Sequence, residues 1–296
     1  MKHSLSVTLV LVCLFLVSQY IGLFVLREYI DTEKTQKTGE TAYKDLPLIG
    51  PVQFERPQTD ATTSGITIAL SVLIGTGLVL LLARFKAVRL WKAWFFLAVS
   101  GTLTVALAAF LPGLPALLIS IILAGIKTFK PNTIVHNLTE LFMYAGLAAI
   151  FVPILNILVM SILYVLLAGY DMYAVWKSQH MVTLAKFQTN AGMFAGMLLP
   201  YKESGQLTVG TPAPKKLSSD KGVRTAILGG GDIGFPLLFA GVVMSVFGFA
   251  KALIIPAFTA LGLLYLLVVA QPKKFYPAIP FLAVGSFVGL LIVWLL

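Results

Sequence analysis

Residues 226–236 read Ala-Ile-Leu-Gly-Gly-Gly-Asp-Ile-Gly-Phe-Pro, and they open an apolar segment that runs to residue 247. A helix that crosses a bilayer needs roughly 20 apolar residues, and the segment 225–247 is long enough. An ionised carboxylate is unfavourable in hydrocarbon, and glycine weakens a helix. The stretch therefore predicts a membrane-spanning helix in which Asp232 and the three glycines before it need a functional reason.

The composition of the whole chain agrees with a membrane fold. Of the 296 residues, 58% are hydrophobic and 11% are charged, whereas soluble domains have about 25% charged residues. The net charge of +10 fits basic residues beside anionic lipid headgroups, so we expect the lipid bilayer and no nucleic acid as a partner. One cysteine and three histidines argue against a Cys- or His-rich metal centre, and no cofactor is expected.

Nine apolar segments have lengths near that of a bilayer-crossing helix. They predict an all-α membrane protein with nine transmembrane helices, near residues 5–26, 64–83, 93–111, 114–127, 134–151, 154–176, 225–247, 250–270 and 276–296. Read as one helix, 134–176 would be about twice as long as the bilayer core is thick, so it must break, and Pro153 is the expected place. The chain then divides into an N-terminal six-helix part (1–177), a flexible linker (178–224) and a C-terminal three-helix part (225–296).

The distribution of basic residues predicts the orientation. With nine spans, 16 of the 22 Lys and Arg residues fall on one side of the membrane and 6 on the other. Basic residues collect in cytoplasmic loops. The N-terminus and the linker 178–224 are therefore predicted to be cytoplasmic, and the C-terminus to lie outside.

Three acidic residues fall at membrane depth: Glu140, Asp171 and Asp232. Asp171 lies near the end of the sixth span and Asp232 near the start of the seventh. Because these spans run in opposite directions, the two carboxyl groups lie about 9 and 12 Å from the cytoplasmic ends of their helices. Two acids that share a proton can hydrolyse a peptide bond, since the carboxylate takes a proton from water while the protonated partner polarises the carbonyl.

The residues alone leave other functions open. Paired acids in a membrane also relay protons, so a proton-coupled transporter that uses Asp171 and Asp232 is an alternative, and a protonated acid with a structural role is another. Glu140 lies four residues after His136 on the same helix face. This pair fits an acid near a helix N-terminus, with a metal or proton site as the alternative.

Three short motifs in three predicted helices together resemble the signature of presenilins and signal peptide peptidases. They are Tyr170-Asp171, Gly229-Gly230-Gly231-Asp232 and Pro277-Ala278-Ile279-Pro280. That family carries a Tyr-Asp, a Gly-x-Gly-Asp and a Pro-Ala-Leu in this order, and the nine-span count agrees over essentially the whole chain. Ile279 stands where the family has Leu.

The resemblance implies an intramembrane aspartyl protease that cuts transmembrane helices, with Asp171 and Asp232 as the catalytic pair. It implies that the active site is shaped, and substrate bound, by Tyr170, Gly229, Gly230, Gly231, Pro277, Ala278 and Ile279. A prepilin-type aspartyl peptidase also uses Gly-x-Gly-Asp, but it lacks the Pro-Ala-Leu motif, so the match at 277–279 argues against it.

The orientation and the short loops carry further expectations. A cytoplasmic N-terminus resembles presenilins rather than signal peptide peptidases, which implies transmembrane substrates whose N-termini lie outside. The short loops resemble an archaeal presenilin homologue, which implies a prokaryotic cell membrane. The sequence leaves a homo-oligomer open.

Overall fold

The computed structural model describes residues 4–49, 52–130, 132–202, 206–208, 223–271 and 274–296. Over these ranges the chain forms twelve α-helices and two small antiparallel sheets. The middle of the predicted linker, residues 203–205 and 209–222, lies outside the described residues.

Helices dominate the N-terminal part of the chain. They are α1 Leu5–Glu28, α2 Thr32–Thr38, α3 Ala61–Arg84, α4 Val88–Ala108, α5 Gly113–Phe129, α6 Thr133–Phe151 and α7 Ile157–Met172. The short strands β1 (Leu48–Ile49) and β2 (Val52–Gln53) pair between α2 and α3.

The chain after α7 forms a hairpin and five further helices. They are α8 His180–Asn190, β3 Gly196–Lys202, β4 Val223–Gly229, α9 Gly230–Phe247, α10 Phe249–Ala252, α11 Ile254–Val269 and α12 Ile279–Leu295. Strands β3 and β4 are antiparallel, with Gly196 opposite Gly229 and Lys202 opposite Val223. The hairpin therefore leads directly into α9.

Each of the nine predicted apolar segments contains a helix. In the described parts of the chain, seven helical stretches are long and apolar enough to cross a membrane: Leu5–Glu28, Ala61–Arg84, Val88–Ala108, Thr133–Ile154, Ile157–Lys177, Gly230–Phe247 and Phe249–Val269. Helices α5 and α12 are also apolar and have 17 residues each. The prediction of an all-α, multi-pass membrane protein is confirmed.

The predicted break at Pro153 is also confirmed. Helix α6 ends at Phe151, and a 3₁₀ turn follows at Val152–Ile154. Helix α7 then begins with a new cap, because the Asn156 side chain accepts the Val159 N–H at 2.8 Å. Proline lacks the N–H that would continue α6, so the two helices are separate.

Two predicted spans begin later than the sequence suggested. The seventh starts at Gly230 rather than at 225, because residues 225–229 pair with β3 as part of strand β4. The ninth starts at Ile279 rather than at 276, with Ala278 at its N-cap and Pro280 in its first turn. The predicted linker 178–224 contains α8, β3 and the first residues of β4.

Burial inside the protein differs sharply between the spans. Among these seven stretches α9 is the most enclosed. In an apolar stretch of 18 residues, 56% of the α9 residues are buried inside the protein, compared with 6% in α3. Helices α11 and α12 pack with their backbones in contact, since a Cβ at Gly262 would strike the Phe281 carbonyl and one at Gly285 the Phe258 carbonyl. This close packing places the start of α12 beside the helices that carry the two aspartates.

Candidate active site

Asp171 lies in the last turn of α7 and is buried, with 5% of its surface exposed. Directly after it, residues Tyr173–Lys177 form a wider π-helical turn. Such turns are rare and often occur at functional sites. The turn ends the helix within six residues of the carboxyl group, as the sequence predicted.

Asp232 is the third residue of α9 and is partly exposed. Its Oδ2 accepts the backbone N–H of Gly229, the residue before the helix, at 3.2 Å. An acid in the first turn satisfies a free N–H and suits the positive end of the helix dipole. The same contact fixes the direction of the carboxyl group.

Two further residues shape the start of α9. Pro236 lies inside the helix and has no N–H, so the carbonyl of Asp232 lacks its usual partner four residues on. Gln19 of α1 is buried, and its Nε2 donates to the Ile233 carbonyl at 2.9 Å. The backbone around Asp232 is thus supported by a side chain from the first helix.

The structure brings the two aspartates together with the start of α12. Helices α7 and α9 pack against each other and against α12, which brings Asp171 and Asp232 within electrostatic range of each other. The backbone N–H of Ile279 donates to Asp171 Oδ2 at 3.1 Å, and the Ala278 N–H lies within reach of the same carboxyl. Pro277, Ala278 and Ile279 are all buried here. Three motifs that are far apart in sequence therefore meet at one place.

Tyr170 makes its hydrogen bond with α8. Its hydroxyl lies 2.9 Å from Nε2 of His180, and the two rings are in contact. Ser178 Oγ lies 2.6 Å from the other ring nitrogen of His180. Burial holds the pKa of His180 below its usual value. Tyr170 therefore connects α7 to α8, and sequence reasoning gave no sign of its partner.

The three glycines before Asp232 have different surroundings. A Cβ at Gly230 would lie 2.5 Å from the Tyr144 hydroxyl and 3.3 Å from the Ala195 carbonyl, closer than a side chain allows. A Cβ at Gly231 would come no nearer than 3.6 Å to the Phe235 ring. Gly229 precedes the helix and donates its N–H to Asp232. Close approach therefore requires glycine at position 230 in particular.

Glu140 has a partner that the sequence did not suggest. Lys127 of α5 donates to Glu140 Oε1 at 2.5 Å, and both side chains are fully buried. Tyr144 donates to the other carboxyl oxygen, while His136 Nε2 is 4.0 Å from Oε1. Lys127 is one of the 16 basic residues that the charge distribution places on the cytoplasmic side, and it lies buried in the last turn of α5. Within the described residues, no three His, Cys, Asp or Glu side chains cluster as metal ligands.

Comparison with known proteins identifies the family. The model of the family described as signal-peptide peptidase, presenilin aspartyl protease matches residues 49–296. The chain belongs to this family. The protein is therefore an intramembrane aspartyl protease, an endopeptidase that acts on transmembrane substrates within the bilayer. Family membership favours hydrolysis over the transporter that the residues alone left open.

Two solved structures of a presenilin family intramembrane aspartate protease share the fold. The one in the C222 space group is 19% identical, with 97% of this chain and 98% of that chain covered and a TM-score of 0.60. The one in the P2 space group is 20% identical, with 98% and 97% covered and a TM-score of 0.58. Among curated proteins, none matches the chain.

Proposed function

We propose that Asp171 and Asp232 are the catalytic pair of this intramembrane protease. The observation that carries the proposal is their meeting at the ends of two consecutive antiparallel spans. One oxygen of each carboxyl accepts a backbone N–H, from Ile279 and from Gly229. These bonds hold both side chains in place before any substrate arrives, which is what acid–base catalysis requires.

The chemistry needs one water and one shared proton. The ionised aspartate takes a proton from water, and the hydroxide formed attacks the carbonyl carbon of the scissile peptide bond. The protonated aspartate gives its proton to the carbonyl oxygen. The tetrahedral intermediate then returns that proton to an aspartate and breaks its C–N bond, and the amide nitrogen leaves with the proton taken from water.

The remaining motif residues have supporting roles in this proposal. The backbone N–H groups of Ala278 and Ile279 hold Asp171, and Pro277, which has no N–H, fixes the backbone just before them. Gly231 leaves space beside Asp232 for water and for an unwound substrate backbone. Gly230 makes room for the Tyr144 hydroxyl, and Gly229 donates its N–H to Asp232. Tyr170 acts at one remove, because its hydrogen bond to His180 ties the end of α7 to α8.

The proposed topology has nine spans, with the N-terminus in the cytoplasm and the C-terminus outside. It is supported by the helix in each apolar segment and by the basic residues, 16 of 22 of which then lie on the cytoplasmic side. Helices of 17 residues reach about 25 Å, slightly less than a hydrocarbon core of about 30 Å, so α5 and α12 cross with their flanking residues. The proposed parts are 1–177, 178–224 and 225–296.

The biological setting follows from this topology. Substrates would be single transmembrane helices with N-termini outside, cut near the cytoplasmic side. A prokaryotic, archaeal-type cell membrane is proposed from the short loops, and a homo-oligomer would be compatible with the lipid-facing surfaces of α3.

Cleavage of a single-span peptide by the purified protein tests the catalytic assignment. Asp171→Asn and Asp232→Asn should each lower the cleavage rate by at least about 100-fold, because each removes an acid–base group. Asp45→Asn, an exposed acid of the external loop, should retain the wild-type rate. Mass spectrometry of the fragments reports the rate. Wild-type cleavage by either active-site variant would refute the assignment.

Labelling from one side of the membrane tests the orientation. Cys13 is the one cysteine of the chain, so Cys13→Ala provides a background for single cysteines. In right-side-out vesicles an impermeant maleimide should label Lys34→Cys and spare Lys186→Cys. The reverse pattern would invert the proposed topology.

A further inference from the structure

A row of buried and half-buried polar side chains runs along α6 and is not used by the chemistry above. His136, Asn137, Glu140 and Tyr144 form this α6 polar row. His136, Glu140 and Tyr144 are spaced by four residues, so they lie on one helix face, and all three are buried. Buried polar groups in a membrane are rare and call for a reason.

Glu140, in the middle of the row, forms an ion pair with Lys127 of α5. Lys127 donates to Glu140 Oε1 at 2.5 Å and to Thr139 Oγ1 at 3.0 Å. The second oxygen of Glu140 accepts the Tyr144 hydroxyl. A buried ion pair contributes little stability by itself, because desolvation offsets the attraction. Its clearest effect is to fix the Glu140 carboxylate, and with it the Tyr144 ring.

His136 and Asn137, at the N-terminal end of the row, bind the β3–β4 hairpin. His136 Nε2 lies 2.7 Å from the Gly196 carbonyl and must donate to it, since a carbonyl only accepts. Asn137 makes two bonds to Leu198 of β3, donating to its carbonyl at 2.7 Å and accepting its N–H at 3.0 Å. These groups of β3 point away from β4, so α6 supplies the partner that this strand edge lacks.

The row also touches the glycine segment in front of Asp232. The Tyr144 hydroxyl occupies the space that a side chain at Gly230 would need, and the Tyr144 ring lies against Gly234 one turn later. The Gly230 N–H donates to the Ala195 carbonyl, just before β3, at 3.0 Å. One face of α6 therefore contacts both the hairpin and the first turn of α9.

We infer that the α6 polar row is the positioning device for Asp232: it seats the β3–β4 hairpin and Gly230 so that the carboxyl faces Asp171. This inference rests on the proposed catalytic role of Asp232. In the described part of the chain the hydrogen bonds of His136, Asn137 and Tyr144 go to β3 and Glu140 and not to either aspartate. Tyr144 is also near enough to Asp232 to interact with its charge, so the row acts mainly through the backbone that carries the aspartate. Substitution of such residues should lower kcat more than it raises KM. The catalytic groups are then held less precisely, whereas the surface that binds substrate is unchanged.

Steady-state kinetics with a single-span peptide tests the inference. Tyr144→Phe keeps the ring and removes only the donor to Glu140, and we expect kcat to fall about tenfold while KM stays within about twofold. Tyr29→Phe is the matched control. It also loses a buried hydrogen bond, to the Val105 carbonyl of α4 at 2.7 Å, but Tyr29 caps the C-terminal end of α1 and belongs to neither α6 nor the hairpin. Tyr29→Phe should leave kcat unchanged when each protein is assayed the same number of degrees below its own melting temperature.

Asn137→Ala is a second variant, at a half-buried position where the loss of a side chain should not prevent folding. It releases Leu198 and should also lower kcat more than it raises KM. Equal kcat in Tyr144→Phe and Tyr29→Phe would overturn the positioning role, as would wild-type kcat in Asn137→Ala. Asp232→Asn separates the two proposals in the same assay: if it is inactive while Tyr144→Phe is normal, only the positioning role fails, and if it is active, the catalytic assignment itself fails.

Discussion

The backbone N–H of Ile279 donates to the carboxyl of Asp171 across 3.1 Å. The contact uses the main chain, and Ile279 is the residue at which this chain departs from the Pro-Ala-Leu motif. The side chain at position 279 can therefore change without removing the donor. This explains in physical terms how isoleucine can stand where relatives have leucine.

Two substitutions of Ile279 separate the contribution of its backbone N–H to catalysis from that of its side chain. Ile279→Leu keeps the N–H and the volume, a change that costs less than about 1.5 kcal/mol in a packed core, and kcat should stay within about twofold. Ile279→Pro removes the donor to a charged group and should lower kcat by about 10- to 100-fold. Both are measured in the peptide cleavage assay. A similar loss in the two variants would show that the side chain matters instead.

Gly230 and the Tyr144 hydroxyl compete for one space. Gly230→Ala should lower kcat at least about tenfold, because its Cβ would lie 2.5 Å from the hydroxyl oxygen. In the double variant with Tyr144→Phe that oxygen is gone, and the Cβ would next meet the Ala195 carbonyl and the ring of residue 144, both at 3.3 Å. The combined loss should thus be smaller than the product of the single losses, as measured by a double-mutant cycle.

Gly234→Ala controls for the effect of adding a methyl group to α9. Its Cβ would lie 3.5 Å from the Tyr144 ring, an ordinary contact, so its effect on kcat should be far smaller than that of Gly230→Ala. Strict multiplication of the Gly230 and Tyr144 effects would count against a direct contact between them.

The Lys127–Glu140 pair should show strong coupling in stability. Lys127→Met leaves the carboxylate buried without its cation and should lower the free energy of unfolding by about 3–5 kcal/mol. Adding Glu140→Gln removes the second charge, so the double variant should recover most of that loss. Detergent titration followed by circular dichroism measures both. Lys34→Met serves as the control, since its ion pair with Asp31 is exposed and should matter little.

Acidification should loosen the contact between Tyr170 and His180. Burial lowers the pKa of His180 below its ordinary value of about 6.5, so the unfolded chain binds the proton more readily than the folded one. This contribution to stability is fully present above about pH 6.5 and declines as the pH falls from there towards the folded pKa. The melting temperature should therefore drop more in the wild type than in His180→Gln between about pH 7.5 and about pH 5.5. An identical drop in both proteins would exclude His180 as the cause.

Much of the helical architecture was predictable because it depends on local sequence. Apolar runs of the right length predicted a helix in each segment, and Pro153 predicted the break between α6 and α7, since a missing N–H acts where it stands. The depth argument for Asp171 and Asp232 used only helix rise and direction. The meeting of their carboxyl groups agrees with that argument.

The missed features depend on partners that are distant in sequence. The hairpin pairs Gly196 with Gly229, and nothing local in 225–229 distinguishes a strand from the first turn of an apolar helix. Lys127 ends the fourth predicted span and has the pattern of a residue at the membrane surface, so its buried contact with Glu140 could not be predicted. The partner of Tyr170 is His180, ten residues on, and its position depends on the π-helical turn between them.

The ion pair between α5 and α6 also has a consequence for biosynthesis. On the translocon scale, a lysine or an aspartate at the centre of a helix opposes insertion by about 2.5–3.5 kcal/mol, and the cost is smaller near a helix end, where Lys127 lies. Lys127 and Glu140 lie thirteen residues apart, on two helices joined by a short connection, so they can neutralise each other if both helices enter as one hairpin. A nascent chain that has not yet emerged beyond Glu140 presents Lys127 alone, and its ammonium has to reach toward the headgroups. Insertion of α5 and α6 as one hairpin would let the two charges enter as a pair.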